Sequence, residues 1–258
     1  MDTEEAAELL RRAEEERVPV DSLLGLSPGG VSLDEAFRIC ERNTRRRIEQ
    51  GEKLAGYKVG LTNVEVRKQL GFPDSTYGFL MESMVLQGGG TFDMAELIAP
   101  KLECEICFKL KGDLRGKGIS TEEVLEATEG VCASFEICDT RLKDWKCTYE
   151  EFFADNGCSA RVVLSGQWHP VDKIDLLKET VVLSKDGDPI AEGRGEMAMG
   201  HPAKAVAWLA GKLAERDSYL QAGQIVMTGT LTPMMVIEKG SRYRAEFSTM
   251  GTVEMTFS

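Results

Sequence analysis

Three glutamates and one lysine carry the most chemical information in this sequence. In Pro100-Lys101-Leu102-Glu103-Cys104-Glu105-Ile106-Cys107-Phe108-Lys109-Leu110 the residue types alternate. On an extended chain Leu102, Cys104, Ile106, Phe108 and Leu110 share one face, and Glu103, Glu105, Cys107 and Lys109 share the other. Two carboxylates on one face, two residues apart, repel unless water, a proton or a cation stands between them. Taken alone, the stretch also fits a charged strand facing solvent. A second segment, Val131-Cys132-Ala133-Ser134-Phe135-Glu136-Ile137, carries one glutamate among apolar and small residues, and a buried carboxylate there needs a partner. Glu103, Glu105 and Glu136 from neighbouring strands would make half of an octahedral oxygen site for a hard divalent cation, with positions left for substrate and water.

These residues need elements to hold them. The apolar spacing of Ala6, Leu9, Leu10 and Ala13 predicts a helix over 2–17. Ser27-Pro28-Gly29-Gly30 reads as a turn, and Ser32-Leu33-Asp34-Glu35 as a capping box opening a helix to about Gly51. Within that helix, Arg45-Arg46-Arg47 reads as a solvated face. From Leu54 the period changes to two, so Tyr57, Val59 and Leu61 face one side of a strand and Lys58 the other. A short helix over Val64–Leu70, a loop through Pro73 and Gly78, and a turn at Gly88-Gly89-Gly90 follow. Helices are expected at Thr121–Glu129 and Ala203–Arg216, and strands near 225–228, 243–247 and 252–257. Strands without a regular β-α-β spacing indicate an α+β protein. No Gly-rich nucleotide loop is present.

Composition narrows the function classes. A chain of 258 residues with 42% hydrophobic and 29% charged residues is long enough for a substantial core. Its formal net charge of -12 repels phosphate backbones and anionic lipid, arguing against nucleic acid or membrane partners. An acidic protein acting on an acidic metabolite therefore needs local positive charge, from a metal ion or a buried lysine. Seven scattered cysteines, no apolar signal-like start and no long apolar run point to a soluble cytoplasmic protein with free thiols. Cys104 and Cys107 form a C-x-x-C without a second pair at zinc spacing, which reads as packing rather than metal or redox chemistry.

The order of several motifs resembles the 2-oxopent-4-enoate hydratase and 4-oxalocrotonate decarboxylase family, within the fumarylacetoacetate hydrolase superfamily. The motifs are Gly56-Tyr57-Lys58-Val59-Gly60-Leu61-Thr62, Tyr77-Gly78-Phe79-Leu80, and the Pro100 to Ile106 stretch. Further on come Phe135-Glu136-Ile137-Cys138-Asp139-Thr140-Arg141, Ala154-Asp155-Asn156-Gly157-Cys158-Ser159, Gly200-His201-Pro202, and Ala222 to Thr230. The resemblance implies a small helical N-terminal arm (1–52) on a β-rich, roll-like catalytic domain (53–258). It implies Mg²⁺ or Mn²⁺ on Glu103, Glu105 and Glu136, with Lys58 as the active-site lysine. Substrate would be held by Tyr77, Gly78, Ser159 and the Thr228-Gly229-Thr230 turn. It also implies an oligomer, and association between hydratase and decarboxylase paralogues.

The chemistry expected is that of a metal-dependent lyase acting on an unsaturated 2-oxo acid. Its carboxylate and keto oxygen chelate the cation, which stabilises a dienolate. Lys58 adds positive charge or moves a proton, its pKa expected to fall toward neutrality by desolvation. Hydration needs an acid–base group at the far end of the diene, where the hydratases resembled here carry Asp. This sequence has Thr76, which cannot exchange a proton near neutral pH, with Asp74 as the nearest substitute. Decarboxylation of 4-oxalocrotonate to 2-oxopent-4-enoate needs only the electron sink and is the main expectation. Hydration of 2-oxopent-4-enoate to 4-hydroxy-2-oxopentanoate is the alternative. A carbon–carbon bond hydrolase of the superfamily would need an early His–Glu pair, whereas His169 and His201 both come late. A non-catalytic partner subunit is the remaining reading. Ser241 and Cys158 depart from the family pattern; a turn role is expected for Ser241.

Overall fold

Each helix begins where its sequence offers a side-chain oxygen or nitrogen to orphaned backbone N–H groups. The computed structural model describes residues 2–26 and 30–258, so most of the expected turn at Ser27 to Gly30 lies outside the described residues. Helix α1 (Thr3–Glu16) is capped by Asp2, and α2 (Leu33–Glu49) by the Ser32/Glu35 capping box. Helix α3 (Val64–Leu70) starts at Asn63, α4 (Thr121–Ala127) at Ser120 and α5 (Tyr149–Ala154) at Thr148. Helix α6 (Pro202–Ala214) has Pro202 in its first turn, and His201 Nδ1 accepts the Ala203 N–H at 3.1 Å. His201 is thus a capping residue, as its position before Pro202 suggests.

The strands are β1 (Leu54–Gly60), β2 (Thr76–Met81), β3 (Val85–Gln87), β4 (Thr91–Phe92), β5 (Lys101–Leu110) and β6 (Thr128–Cys138). They continue as β7 (Ser159–Leu164), β8 (Thr180–Lys185), β9 (Asp188–Arg194), β10 (Ile225–Met227), β11 (Met235–Val236), β12 (Arg242–Phe247) and β13 (Gly251–Phe257). Among the described residues they form an eight-stranded sheet, ordered β2-β1-β10-β5-β6-β7-β3 with β11 added to β5, and a five-stranded sheet, β4-β13-β12-β8-β9. With the helices at the front and in connections, this is an α+β architecture.

Several boundaries differ from the sequence reading, three of them with a visible cause. The expected loop through Gly78 becomes β2 from Thr76 onward, because Thr76 to Met81 pair antiparallel with β1. The helix expected to Glu129 stops at Ala127; the Thr128 hydroxyl donates to Val124 O at 2.7 Å and Thr128 opens β6. Strand β1 ends at Gly60, and Leu61 turns to φ 57°, leaving the strand face it was expected to share.

Helices α1 and α2 and the segment after α1 are fixed to the rest of the chain by apolar packing and one buried acid. Phe37 of α2 meets Tyr77 and Phe153 with ring centroids 6.2 and 6.0 Å apart. Burying each such ring contributes about 1.5–3 kcal/mol. Glu151 of α5, also buried, accepts from Ser22 Oγ at 2.5 Å and Leu23 N at 2.7 Å. Buried residues of α1 and α2 therefore belong to the same hydrophobic core as β1, β5 and β6. Arg45 to Arg47 stay at least partly solvated and pair with Glu41, Glu8, Glu14 and Glu52. No helix among the described residues is long and apolar enough to cross a membrane.

Candidate active site

Sheet register decides which side chains meet. Across the central strands Lys58 is level with Met227, Met227 with Cys107, and Cys107 with Cys132. Glu103 stands directly opposite Glu136, and Glu105 opposite Ser134. Because neighbours in register point the same way, Lys58, Glu103, Glu105 and Glu136 share one face of the large sheet. Leu102, Cys104, Ile106, Phe135 and Ile137 fill the other. Cys104 and Cys107 therefore point to opposite faces and cannot act as a pair.

The shared face is buried and short of positive charge. Lys58, Glu105 and Glu136 are at most 1% exposed, and Glu103 is half-buried. Lys58 Nζ lies 3.1 Å from Glu136 Oε1 as an ion pair, and 5.6 Å from the Phe152 ring centroid. Glu105 Oε2 accepts the Gly229 N–H at 2.8 Å, while Glu105 Oε1 and both Glu136 oxygens have no hydrogen-bond donor. One ammonium against three carboxylates leaves two negative charges in excess. Like charges directly across a sheet are destabilising, and orphaned buried carboxylate oxygens are costly.

Protonation responds to this imbalance. Burial, and then Glu136, push Glu103 up to about 7. Burial, Glu136 and Glu103 raise Glu105 well above the usual carboxylate range. For Lys58, burial opposes the charge, but Glu136 and its neighbours outweigh it and hold the ammonium above its ordinary range. Without a metal on the carboxylates the Lys58 pKa thus moves up rather than toward neutrality as expected, because Glu136 and its neighbours together outweigh desolvation. The chemistry of the carboxylates suits a hard divalent cation, since they are oxygen donors in excess negative charge; Glu103 and Glu136 offer oxygens within 4.8 Å of each other, and Glu105 stands outside that spacing.

The segment after α5 closes over the lysine. Asn156 accepts the Phe79 N–H at 2.7 Å and donates to Phe79 O at 2.9 Å, strapping this segment to β2. Gly157 has φ 60°, and a Cβ there would come within 3.0 Å of Lys58 Cε. On Gly78 a Cβ would meet Asn156 O at 2.2 Å and Ser159 Oγ at 2.6 Å, so only glycine permits this approach. Beneath the segment, Asp155 is ion-paired with Arg141 and accepts from Thr140 Oγ1 and Arg141 N, both at 3.0 Å. Gly157→Ala should therefore displace Lys58 or strain the backbone, destabilising the protein by about 1–3 kcal/mol. Turnover should fall well beyond that predicted from the unfolded fraction, measured by denaturation and initial rates on one preparation.

The expected substrate-binding residues separate into two groups. Gly78, Ser159 and Gly229 lie against the lysine–carboxylate face, and the Ser159 hydroxyl is buried without a partner. The Thr228 hydroxyl donates to Ile106 O at 2.8 Å and that of Thr230 to Thr232 O at 2.7 Å, so both brace the turn. Tyr77 pairs in register with Val59, on the opposite face from Lys58. Its ring packs among Phe37, Tyr57, Phe79, Phe153 and Trp208, and is not brought to the carboxylates.

Thr76 is level with Gly60 and on the Lys58 face. A Cβ on Gly60 would come within 3.1 Å of Lys58 Nζ and 3.2 Å of Thr76 Oγ1, and this buried hydroxyl has no partner. Asp74, the proposed substitute acid, is part-exposed and paired with Lys212 Nζ at 3.0 Å. Ser241 follows Gly240 in a turn, its N–H on Glu238 O at 3.2 Å. His169 is tied by backbone hydrogen bonds to Val131, away from the site. Sequence reasoning missed Cys138, whose thiol lies 3.6 Å from Glu103 Oε2, although its parity with Glu136 was visible.

Known proteins agree with this architecture. The C-terminal fumarylacetoacetate hydrolase family model matches residues 58–258. A 2-hydroxyhexa-2,4-dienoate hydratase of Comamonas testosteroni is 36% identical over 230 residues, covering 88% of this chain and 87% of the relative. A 4-oxalocrotonate decarboxylase of Pseudomonas sp. strain CF600 is 36% identical over 227 residues, covering 88% and 86%. The solved 4-oxalocrotonate decarboxylase of Pseudomonas putida G7, complexed with magnesium and adipate, superposes with a TM-score of 0.94 at 30% identity, covering 98% of this chain and 95% of that one. The chain belongs to the fumarylacetoacetate hydrolase family.

Proposed function

We propose that this protein is a divalent-metal-dependent lyase that decarboxylates 4-oxalocrotonate to 2-oxopent-4-enoate. The observation that carries the reading is that Glu103, Glu105 and Glu136 share one largely buried sheet face with a single lysine, Lys58, which is ion-paired with Glu136. A divalent cation held by these carboxylates supplies the positive charge that a 2-oxo acid needs as its conjugated chain becomes electron-rich. Lys58, kept as an ammonium, adds a fixed charge at the same place and can return a proton to the product. The free Ser159 hydroxyl and the Gly78 backbone bound the space beside Lys58 and orient a carboxylate there. In the reaction the bond to the departing carboxylate breaks, its electron pair moves along the chain to the 2-oxo oxygen, and CO₂ leaves.

Decarboxylation is favoured over hydration by what stands near Lys58. Thr76 offers a hydroxyl that does not ionise, and Asp74 is engaged with Lys212 outside the site. Hydration of 2-oxopent-4-enoate is the second reading, supported by the hydratase relative at 36% identity.

The test is purified protein with Mg²⁺ and 4-oxalocrotonate, followed by CO₂ detection and product analysis. CO₂ release that EDTA stops is expected. Absence of CO₂ with conversion of 2-hydroxypenta-2,4-dienoate to 4-hydroxy-2-oxopentanoate would replace the decarboxylase with the hydratase. Glu105→Gln should abolish the metal-dependent turnover with an unchanged circular dichroism spectrum. Undiminished activity in that variant would remove Glu105 from the metal site.

A further inference from the structure

The carboxylate face carries two overlapping sets of donor atoms. Cys138 ends β6 with the same parity as Glu136, and its thiol is within hydrogen-bonding reach of Glu103 Oε2 at 3.6 Å. Donor atoms of Glu103, Glu136 and Cys138 lie within 4.8 Å of one another. Glu105 stands outside that tight group, its Oε2 taken by the Gly229 N–H. Cys138 is 4% exposed and Glu136 1%, and apart from the Lys58 ion pair at Oε1 no donor reaches either Glu136 oxygen. One set is therefore all oxygen, Glu103, Glu105 and Glu136. The other mixes two carboxylates with one sulfur.

Metal ions distinguish such sets. Mg²⁺ prefers oxygen and gains little from sulfur, whereas Zn²⁺ and Cd²⁺ bind thiolate strongly. We propose that Cys138 gives this centre a second metal mode, in which Zn²⁺ or Cd²⁺ binds through Glu103, Glu136 and the Cys138 sulfur and excludes the hard cation. This rests on the reading that the carboxylates hold a divalent cation. On binding, the S–H bond breaks, its proton passes to solvent, and a sulfur lone pair forms the metal–sulfur bond. No electron is transferred and no oxidant is required. The other thiols do not complete this set. Cys104 faces the opposite side of the sheet, Cys107 and Cys132 oppose each other farther along β5 and β6, and Cys158 lies 3.7 Å from Asp155.

The consequence is inhibition by thiophilic ions with a signature that carboxylates alone cannot give. Metal-free protein under reducing conditions would be titrated with Cd²⁺ while the ultraviolet thiolate-to-cadmium charge-transfer band is recorded. Mg²⁺ binding would be measured by calorimetry on the same samples. The band should appear in the unmodified protein and be lost in Cys138→Ser and Cys138→Ala. Their Cd²⁺ affinity should drop roughly 10–100-fold, the range for losing a metal-site partner. Mg²⁺ affinity should change by less than about threefold, since its ligands are oxygens. A band of equal amplitude and an equal Cd²⁺ affinity in both variants would overturn the proposal. That result with Mg²⁺ binding intact would remove only the sulfur ligand. Absence of Mg²⁺ binding in the unmodified protein, lost together with the band, would overturn the carboxylate reading as well.

Discussion

Lys58→Met should lower turnover by about 10²–10⁴-fold, the contribution of a positioned proton donor. The same variant should bind Mg²⁺ more tightly, because the ammonium that competes with the cation for Glu136 is gone. Without metal, removing one partner of a buried ion pair destabilises a protein by about 3–5 kcal/mol. Here that loss should be greater at pH 8, where ionised Glu103 adds its charge to that of Glu136, than at pH 5, where Glu103 and Glu105 hold protons and Lys58 answers Glu136 alone. Opposite changes in rate and metal affinity separate a working lysine from a merely structural one. Full activity in the variant would exclude Lys58 from the reaction, and equal destabilisation at both pH values would limit its counter-charge role to Glu136.

Removing the metal should make stability fall as pH rises, the reverse of ordinary acid denaturation. Burial and the Glu136 carboxylate push Glu103 up to about 7, against 4.5 for an unperturbed glutamate. Between those values the native state binds more protons than the unfolded state, so unfolding free energy declines with pH across that window. This stabilisation is fully present below pH 4.5 and lost as pH rises through about 7. Glu105 acts in the same direction. Glu8 and Glu35 are drawn down to about 2 by hydrogen bonds from Arg11 and Ser32, so their contribution is lost only on acidification below 4.5. On the proposed reading Mg²⁺ binds the ionised carboxylates and stabilises by mass action, so its gain should be greater at pH 8 than at pH 5. Denaturant midpoints with Mg²⁺ and with EDTA at both pH values measure this. An equal gain at the two values would place the ion elsewhere.

The period-two alternation through Leu102 to Leu110 and Phe135 to Ile137 made the carboxylate face readable, because strand parity is fixed by geometry. Capping boxes at Ser32 and the proline after His201 made helix starts readable in the same way. What escaped depended on register and long-range packing. Tyr77 sits in a motif beside Gly78, yet one residue of register puts its ring on the opposite face. The direction of the Lys58 shift depended on Glu136 lying at 3.1 Å, which residue types do not specify. The hairpin β8–β9 was signalled by Asp186-Gly187, whose positive φ values of 53° and 100° suit a tight hairpin turn, but was not singled out. Likewise α5 has a Thr148/Glu151 capping box that the sequence displays openly.

The insertion of β10 between β1 and β5 sets the order in which the site can come into being. Lys58 and all three glutamates are synthesised well before Ile225 to Met227, the strand that joins their two halves of the sheet. Until it arrives, β1 and β5 each present an edge of unpaired N–H and C=O groups, and each edge is a template for mispairing. Contacts so distant along the chain also slow folding, since their loop entropy is lost before they stabilise anything. A chain that stops short of β10 therefore carries all three glutamates of the proposed metal site but no surface able to assemble them, and its two open edges make it prone to aggregate.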